Sequence, residues 1–260
     1  PRYLTCGFIL EEGLEIETLE RVVESMARQA EIAGVKIVAG DTKVVEGSGG
    51  LYINTSGIGI IPQDRDVSAA NCKPGDKLIL SGNLGDHHAT ILSARMEIEN
   101  DIKSDCGCLK DITDALFENG ITVRTMRDVT RGGLGTILNE IADTSGCKIE
   151  LQEESLPVSD EVRGFADILG LDPLYMANEG KMIAIVPEAD AEKALEACNW
   201  GRDIVEAEHE TLIEQFRADG IQVDVLTEEQ VALFKEEVAD VKAEFLAGFD
   251  ASAKAAFGIE

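Results

Sequence analysis

Apolar residues along this chain recur at helical and at strand spacing by turns, which predicts mixed α/β organisation. Leu19, Val22, Val23, Met26, Ala30 and Ala33 fall on one helical face, and Gly34 is placed to cap its C-terminus. The apolar run at 35–39 follows as a buried strand that ends at Gly40. Residues 51–55 and 58–61 read as a further strand, beyond a flexible Gly/Ser turn at 46–50. The polar stretch 62–75, with Pro at one end and Gly at the other, predicts a boundary. Past it, a strand at 77–81 runs into a glycine-rich segment at 82–88 and then a helix carrying Ala89, Ile91, Leu92 and Ala94. Further helices are expected at 109–117, stopped by Asn119 and Gly120, at Leu134 through Ala142, stopped by Gly146, and around Phe165, ending at Gly170. A strand at 182–186 and a helix at 189–198 complete this part, with no internal repeat or low-complexity tract.

Residues 199–260 have a different character. An acidic helix at 206–218 carries Leu212, Ile213 and Phe216 on one side and stops at Gly220. An alternating strand at 221–226 precedes a capping box at 227–230 and a helix with Val231, Phe234, Val238, Val241, Phe245 and Leu246. Two readings stand. The tail is an acidic amphipathic extension without a separate function. Alternatively, its run 220–234 resembles the C-terminal region of TRAP-type transporter solute receptors, and the chain joins two unrelated pieces.

Composition narrows the partners. Apolar residues make up 44% of the chain and aromatics 5%, so Leu, Ile, Val and Ala must fill the core. A formal net charge of −27 repels duplex nucleic acid and anionic membranes, and it obliges an anionic substrate such as ATP to find a local cation or a bound metal. No run is long and apolar enough to span a membrane, and no signal-peptide pattern is present. The opening Pro-Arg-Tyr-Leu without Met suggests a piece of a longer protein or a processed product. Of the cysteines, only Cys106 and Cys108 are close, as C-x-C. Zinc sites favour wider spacings used twice, so reduced and mostly buried thiols in a cytoplasmic protein are expected.

Candidate chemistry gathers at polar segments beside apolar ones. Residues 40–45 (GDTKVV) place a carboxylate, a hydroxyl and an amine at an expected strand end. There Asp41 suits a divalent metal, Thr42 a phosphate oxygen and Lys43 phosphate charge; a solvated strand-to-loop corner is the plain alternative. Residues 128–133 (DVTRGG) precede a helix, where exposed amides beside Arg131 suit an anion and Gly132 and Gly133 admit close approach of a ligand. Ordinary helix capping explains the same glycines. His87 suits a general base, although a capping Asp86 followed by surface histidines, His87 and His88, is the commoner arrangement. Glu179 lies in an Asn-Glu-Gly turn that turn chemistry alone accounts for.

Taken in order, residues 1–13 (PRYLTCGFILEEG), 40–45, 55–59 (TSGIG), 81–86 (SGNLGD), 128–133 and 177–181 (ANEGK) closely resemble the HypE family of hydrogenase maturation proteins. These belong to the PurM-like (AIR synthetase-like) ATP-dependent superfamily, and the resemblance covers about residues 1–198. It implies an α/β (α+β) fold of two halves, with a truncated N-terminal half, mixed or antiparallel sheets covered by helices, and a helical acidic tail. The implied domains are 1–62, 73–198 and an extension at 199–260. The implied activity is ATP-dependent dehydration of a carbamoyl group, from thiocarboxamide to thiocyanate, for the cyano ligands of [NiFe] hydrogenase. ATP and Mg²⁺ are the implied cofactors. A homodimer, a HypF-type carbamoyl donor and a HypC–HypD-type acceptor are the implied partners. Lys43 and Glu179 would be catalytic, Asp41, Thr42, Asp128 and Arg131 would hold nucleotide, and Asp41 would also ligate metal. The family's opening segment and its terminal Pro-Arg-Ile-Cys, whose Cys carries the carbamoyl group, have no counterpart here, since the chain ends at Glu260. The expectation is therefore of a chain inactive as it stands. The alternatives are a non-catalytic PurM-like fragment or chimera and, from the tail alone, a solute-binding protein.

Overall fold

The computed structural model describes residues 1–201, so the elements expected in the tail from 202 onward lie outside the described residues. Two separate three-stranded sheets organise the described residues.

The first sheet is built from β1 (Tyr3–Glu11), β2 (Lys36–Val45) and β3 (Leu51–Ile58), in the order β2-β1-β3. β1 pairs in parallel with β2 across the crossover helix α1 (Ile16–Ile32), because parallel neighbours need a long connection. β3 returns antiparallel to β1. Glu11 locks the intervening turn, accepting the N–H groups of Ser48 and Gly50 at 2.8 and 2.9 Å. These same bonds hold its carboxyl below the ordinary value. Cys6 is the one buried hydrophobic residue of this sheet, and α1 buries none of its residues.

Two features of this half differ from the sequence reading. β1 is an additional strand, concealed because Thr5, Cys6 and Gly7 interrupt its apolar alternation. The strand expected to end at Gly40 continues to Val45, since β1 is long enough to pair with it through Glu11.

The second sheet contains β4 (Lys77–Leu80), β5 (Thr125–Asp128) and β6 (Met182–Val186), in the antiparallel order β4-β6-β5. Every residue of the central strand β6 is buried, and its period of two sends alternate side chains to opposite layers. Met182, Ala184 and Val186 pack on Ile112 and Leu116 of α3 (Lys110–Glu118) and on Ala194 and Cys198 of α6 (residues 191–201). Ile183 and Ile185 pack on Leu134, Ile137, Leu138 and Ile141 of α4 (Gly133–Ser145). Each large apolar side chain buried in this way contributes about 1.5–3 kcal/mol. A third cluster joins α2 (Asp86–Met96) to α5 (Asp160–Leu169) through Ala89, Val162 and Phe165. The mixed α/β, two-half architecture agrees with the expected fold class. β5 is a second additional strand; only four residues long, and ending in Arg and Asp, it carries no apolar period.

The end of the expected boundary belongs to the second half. Thr125 donates its hydroxyl to the Ser68 carbonyl at 2.7 Å, and Asp76 pairs with Arg124 at 3.0 Å.

Candidate active site

The ends of all three strands of the second sheet meet at one edge. β4 leads to Gly85 and α2, β5 ends at Asp128, and the turn 177–181 feeds β6. The Val129 N–H donates to the Lys181 carbonyl at 3.0 Å, which prolongs the β5–β6 pairing into this edge. Asn178, 1% exposed, binds the pieces together. Its Oδ1 accepts the Gly85 N–H at 2.8 Å, and its Nδ2 donates to the carbonyls of Val129 and Met176 at 2.9 and 3.1 Å. A buried amide satisfied in this way fixes three chain segments against one another.

The turn is held at the neighbouring residues as well. His88 Nδ1 accepts the Ala177 N–H at 3.1 Å, and the His88 N–H donates to the Ala177 carbonyl at 3.2 Å. Burial and the adjacent His87 lower the pKa of His88, in keeping with its acceptor role. Asp105 Oδ1 accepts the Glu179 N–H at 3.0 Å, and Asp105 Oδ2 lies 3.6 Å from Lys181 Nζ. Gly180 permits this approach, because a Cβ there would stand 1.7 Å from the Asp105 carbonyl oxygen. Burial pushes Asp86 up to about 6, opposed by Lys181 and assisted by Asp105 and Glu161. Burial, then Glu179 and Asp105, push the Cys106 thiol up, which keeps it protonated.

Glu179 itself is exposed, at the centre of this fixed turn. Asp128 is exposed at the β5 terminus and accepts a hydrogen bond from the Thr130 hydroxyl. Arg131 is exposed beside it. Asp41, Thr42 and Lys43, all exposed, lie on the other sheet, in register with Gly7, Phe8 and Ile9. Strand alternation puts Asp41 and Lys43 on one face and Thr42 on the other. The Thr42 N–H donates to Asp41 Oδ1 at 2.9 Å. No hydrogen bond or ion pair among the described residues joins the Asp41–Lys43 set to the Glu179, Asp128 and Arg131 set.

Four sequence expectations are corrected. Asp41, Thr42 and Lys43 sit inside a strand, not at a strand-to-loop corner, because β2 pairs with β1 beyond Gly40. The first turn of α4 is no open anion cradle: Gly133, Leu134 and Gly135 are buried, and Leu174 and Tyr175 fill the space a Cβ at Gly133 would need. That leaves the Arg131 side chain, and not these amides, facing solvent. Asp86 is not the cap of α2; Gly85 takes that position in a left-handed conformation without a side-chain bond. His87 and His88 are half-buried and hydrogen-bonded, His87 through Nδ1 to Ser104 at 2.9 Å. Sequence reasoning missed Asp105 and Lys181. The loop holding Asp105 has no period, and nothing about an Asp between Ser104 and Cys106 marks it as buried.

Comparison with known proteins follows the same division. The profile of the AIR synthase related protein, N-terminal domain, matches residues 1–61, and that of the AIR synthase related protein, C-terminal domain, matches residues 73–209. Fold and profiles define the class as a two-domain AIR synthase related protein. Carbamoyl dehydratase HypE of Rhodobacter capsulatus is 46% identical over 248 residues, covering 89% of this chain and 72% of the relative. The Azotobacter vinelandii carbamoyl dehydratase HypE is 50% identical over 201 residues, covering 76% of this chain. The crystal structure of Escherichia coli HypE superposes with a TM-score of 0.72 at 48% identity, covering 76% of this chain and 62% of that one. HypE in complex with ATP gives 0.72 at 50% identity (76% and 60%), and a HypE–HypF complex gives 0.72 at 46% (76% and 66%). The chain belongs to the HypE family. It spans about three fifths of the length of the A. vinelandii relative, 59%. The R. capsulatus relative, matching 89% of this chain, carries the HypE likeness past the limit of about 198 read from the sequence.

Mg²⁺ usually takes one or two carboxylates together with phosphate oxygens and water. Asp41, a single exposed carboxylate, fits a metal that arrives with nucleotide, and no group of three or more His, Cys, Asp or Glu among the described residues could hold a metal unaided. No helix among the described residues is long and apolar enough to cross a membrane.

Proposed function

We propose that this protein dehydrates a carbamoyl group at the expense of ATP, converting a thiocarboxamide to a thiocyanate for the cyano ligands of [NiFe] hydrogenase. The observation that carries this reading is identity of 46–50% to carbamoyl dehydratases HypE, together with the matching motifs in order. Bound ATP supplies the phosphoryl group that turns a carboxamide oxygen into a leaving group. Lys43 polarises the carbamoyl oxygen; one nitrogen-bound proton is lost as that oxygen takes the phosphoryl group and ADP leaves, and Glu179 takes the second as phosphate departs, leaving the nitrile. Its fixed turn and exposed carboxylate suit a base that must meet a substrate arriving from outside. Asp41 ligates Mg²⁺, and Asp128 and Arg131 border the nucleotide; the Thr42 side chain leaves β2 on the opposite face, so its donation to phosphate requires the nucleotide to reach around this edge strand. This reading requires Asp41 and Lys43 to converge on Glu179.

The same proposal divides the chain into domains at 1–62 and 73–198 with an extension at 199–260. It places the reaction in the cytoplasm, with a HypF-type donor and a HypC–HypD-type acceptor. A homodimer is supported by the uncovered first sheet, where Tyr52, Val38 and Val44 are 59%, 57% and 56% exposed.

The test supplies the protein, expressed from its complete reading frame, with a carbamoyl donor labelled with heavy oxygen and with Mg-ATP. The label is expected in inorganic phosphate. Its release as water, or nitrile formation without ATP, overturns the proposal.

A further inference from the structure

The turn 177–181 is clamped at consecutive residues while its one outward carboxylate is left to act. Ala177 is held by His88, Asn178 by Gly85, Val129 and Met176, and the Glu179 main chain by Asp105. No hydrogen bond or ion pair to the Glu179 side chain occurs among the described residues. Of the groups that hold the turn, Asp105 is the costliest. Its side chain is 1% exposed, yet it comes from a segment without helix or strand. Burial of a carboxylate is costly unless it is paired and hydrogen-bonded. Oδ1 has the Glu179 N–H; Oδ2 has no hydrogen-bond partner, and Lys181 Nζ stands 3.6 Å away. Backbone packing makes the contact obligatory, since Gly180 lies directly over the Asp105 carbonyl and Gly82 leaves room for the Lys181 stem. A group that only filled space here would be better served by an apolar side chain.

We propose that Asp105 is a positioning residue for the dehydration reaction. One oxygen fixes the Glu179 main chain, and the other directs the Lys181 ammonium along the same turn, so that the Glu179 carboxylate is presented at a set place and angle. This rests on the reading of Glu179 as the proton acceptor. Preorganisation of this kind matters because a shift of about 1 Å in a reacting group can cost about a hundredfold in rate.

The variants separate the two functions of the carboxylate. Asp105→Asn keeps an acceptor for the Glu179 N–H but removes the charge; Asp105→Ala removes both. In the protein from its complete reading frame, Asp105→Ala is expected to lower kcat about a hundredfold with little change in the KM for ATP. Asp105→Asn is expected to stay within about tenfold of the wild type. Hydrogen exchange at the Glu179 amide is expected to accelerate in Asp105→Ala and to remain slow in Asp105→Asn. The carboxyl of Asp86, which faces Lys181, Asp105 and Glu161 and shares its helix with His87 and His88, is expected to titrate lower in Asp105→Asn. There the Lys181 charge acts on it with only Glu161, and no longer Asp105, opposing.

Unchanged kcat in Asp105→Ala, a loss confined to KM, or fast Glu179 amide exchange already in the wild type overturns the inference. If Asp105→Ala fails to fold, the Asp86 titration and amide exchange of Asp105→Asn decide it: an unmoved Asp86 or a deprotected Glu179 amide is contrary. Full activity of Glu179→Gln would instead overturn the reading of Glu179, while amide exchange would still report whether Asp105 holds the turn.

Discussion

Replacement of Asp86 by Asn should stabilise this protein at alkaline pH and do nearly nothing at acid pH. Burial raises the Asp86 carboxyl from 3.8 to about 6, with Lys181 opposing and Asp105 and Glu161 assisting. A raised carboxyl favours the folded state while it is protonated. That contribution is complete below the unfolded value and is lost as pH rises from 3.8 through about 6. A tenfold change in proton affinity corresponds to about 1.4 kcal/mol, which sets an upper bound of about 3 kcal/mol for the penalty at pH 8. Asp86 is only half-buried, so solvent screening reduces the figure to about 1–2 kcal/mol. Its charge also favours the N-terminus of α2, and losing that offsets a few tenths of a kcal/mol. Asp86→Asn should therefore gain about 1 kcal/mol in urea unfolding near pH 8, and the gain should shrink towards zero near pH 4. An equal gain at both pH values, or a loss near pH 8, would refute the assignment of the penalty to this carboxylate.

Leu116→Ala, at a fully buried position between α3 and β6, should cost about 2–5 kcal/mol in denaturant unfolding; a cost below about 1 kcal/mol would mean that this layer is loosely packed. Asn178→Ala should cost at least about 2 kcal/mol, because the Gly85 N–H and the Val129 and Met176 carbonyls lose their partner together. Asn178→Asp, which retains the acceptor for the Gly85 N–H, should be distinguishable from it by the same unfolding curves.

The parts of this fold written in local periodicity were legible. α1, α4 and α5 follow their apolar repeats to within a few residues, and β6 is a continuous apolar run. β1 and β5 were not legible, since each is a strand because of what it pairs with: β1 through β2 and β3, β5 through β6. The extension of β2 through Asp41 and Lys43 is likewise a consequence of β1, which is distant along the chain but adjacent in the sheet. Glu179 and Asp128 were proposed for the site through ordered motifs. Asp105 and Lys181 escaped because their importance arises from burial and from a contact across 76 positions of sequence, 105 to 181, that no spacing rule encodes.

The central claim is that Lys43 and Glu179 act on one carbamoyl group with ATP. Mass spectrometry of the carbamoylated protein, from its complete reading frame, tests it most directly. With Mg-ATP the wild-type adduct should lose the mass of one water, while Lys43→Met and Glu179→Gln should keep the carbamoyl adduct intact under the same conditions. Loss of water at the wild-type rate in either variant would contradict the account.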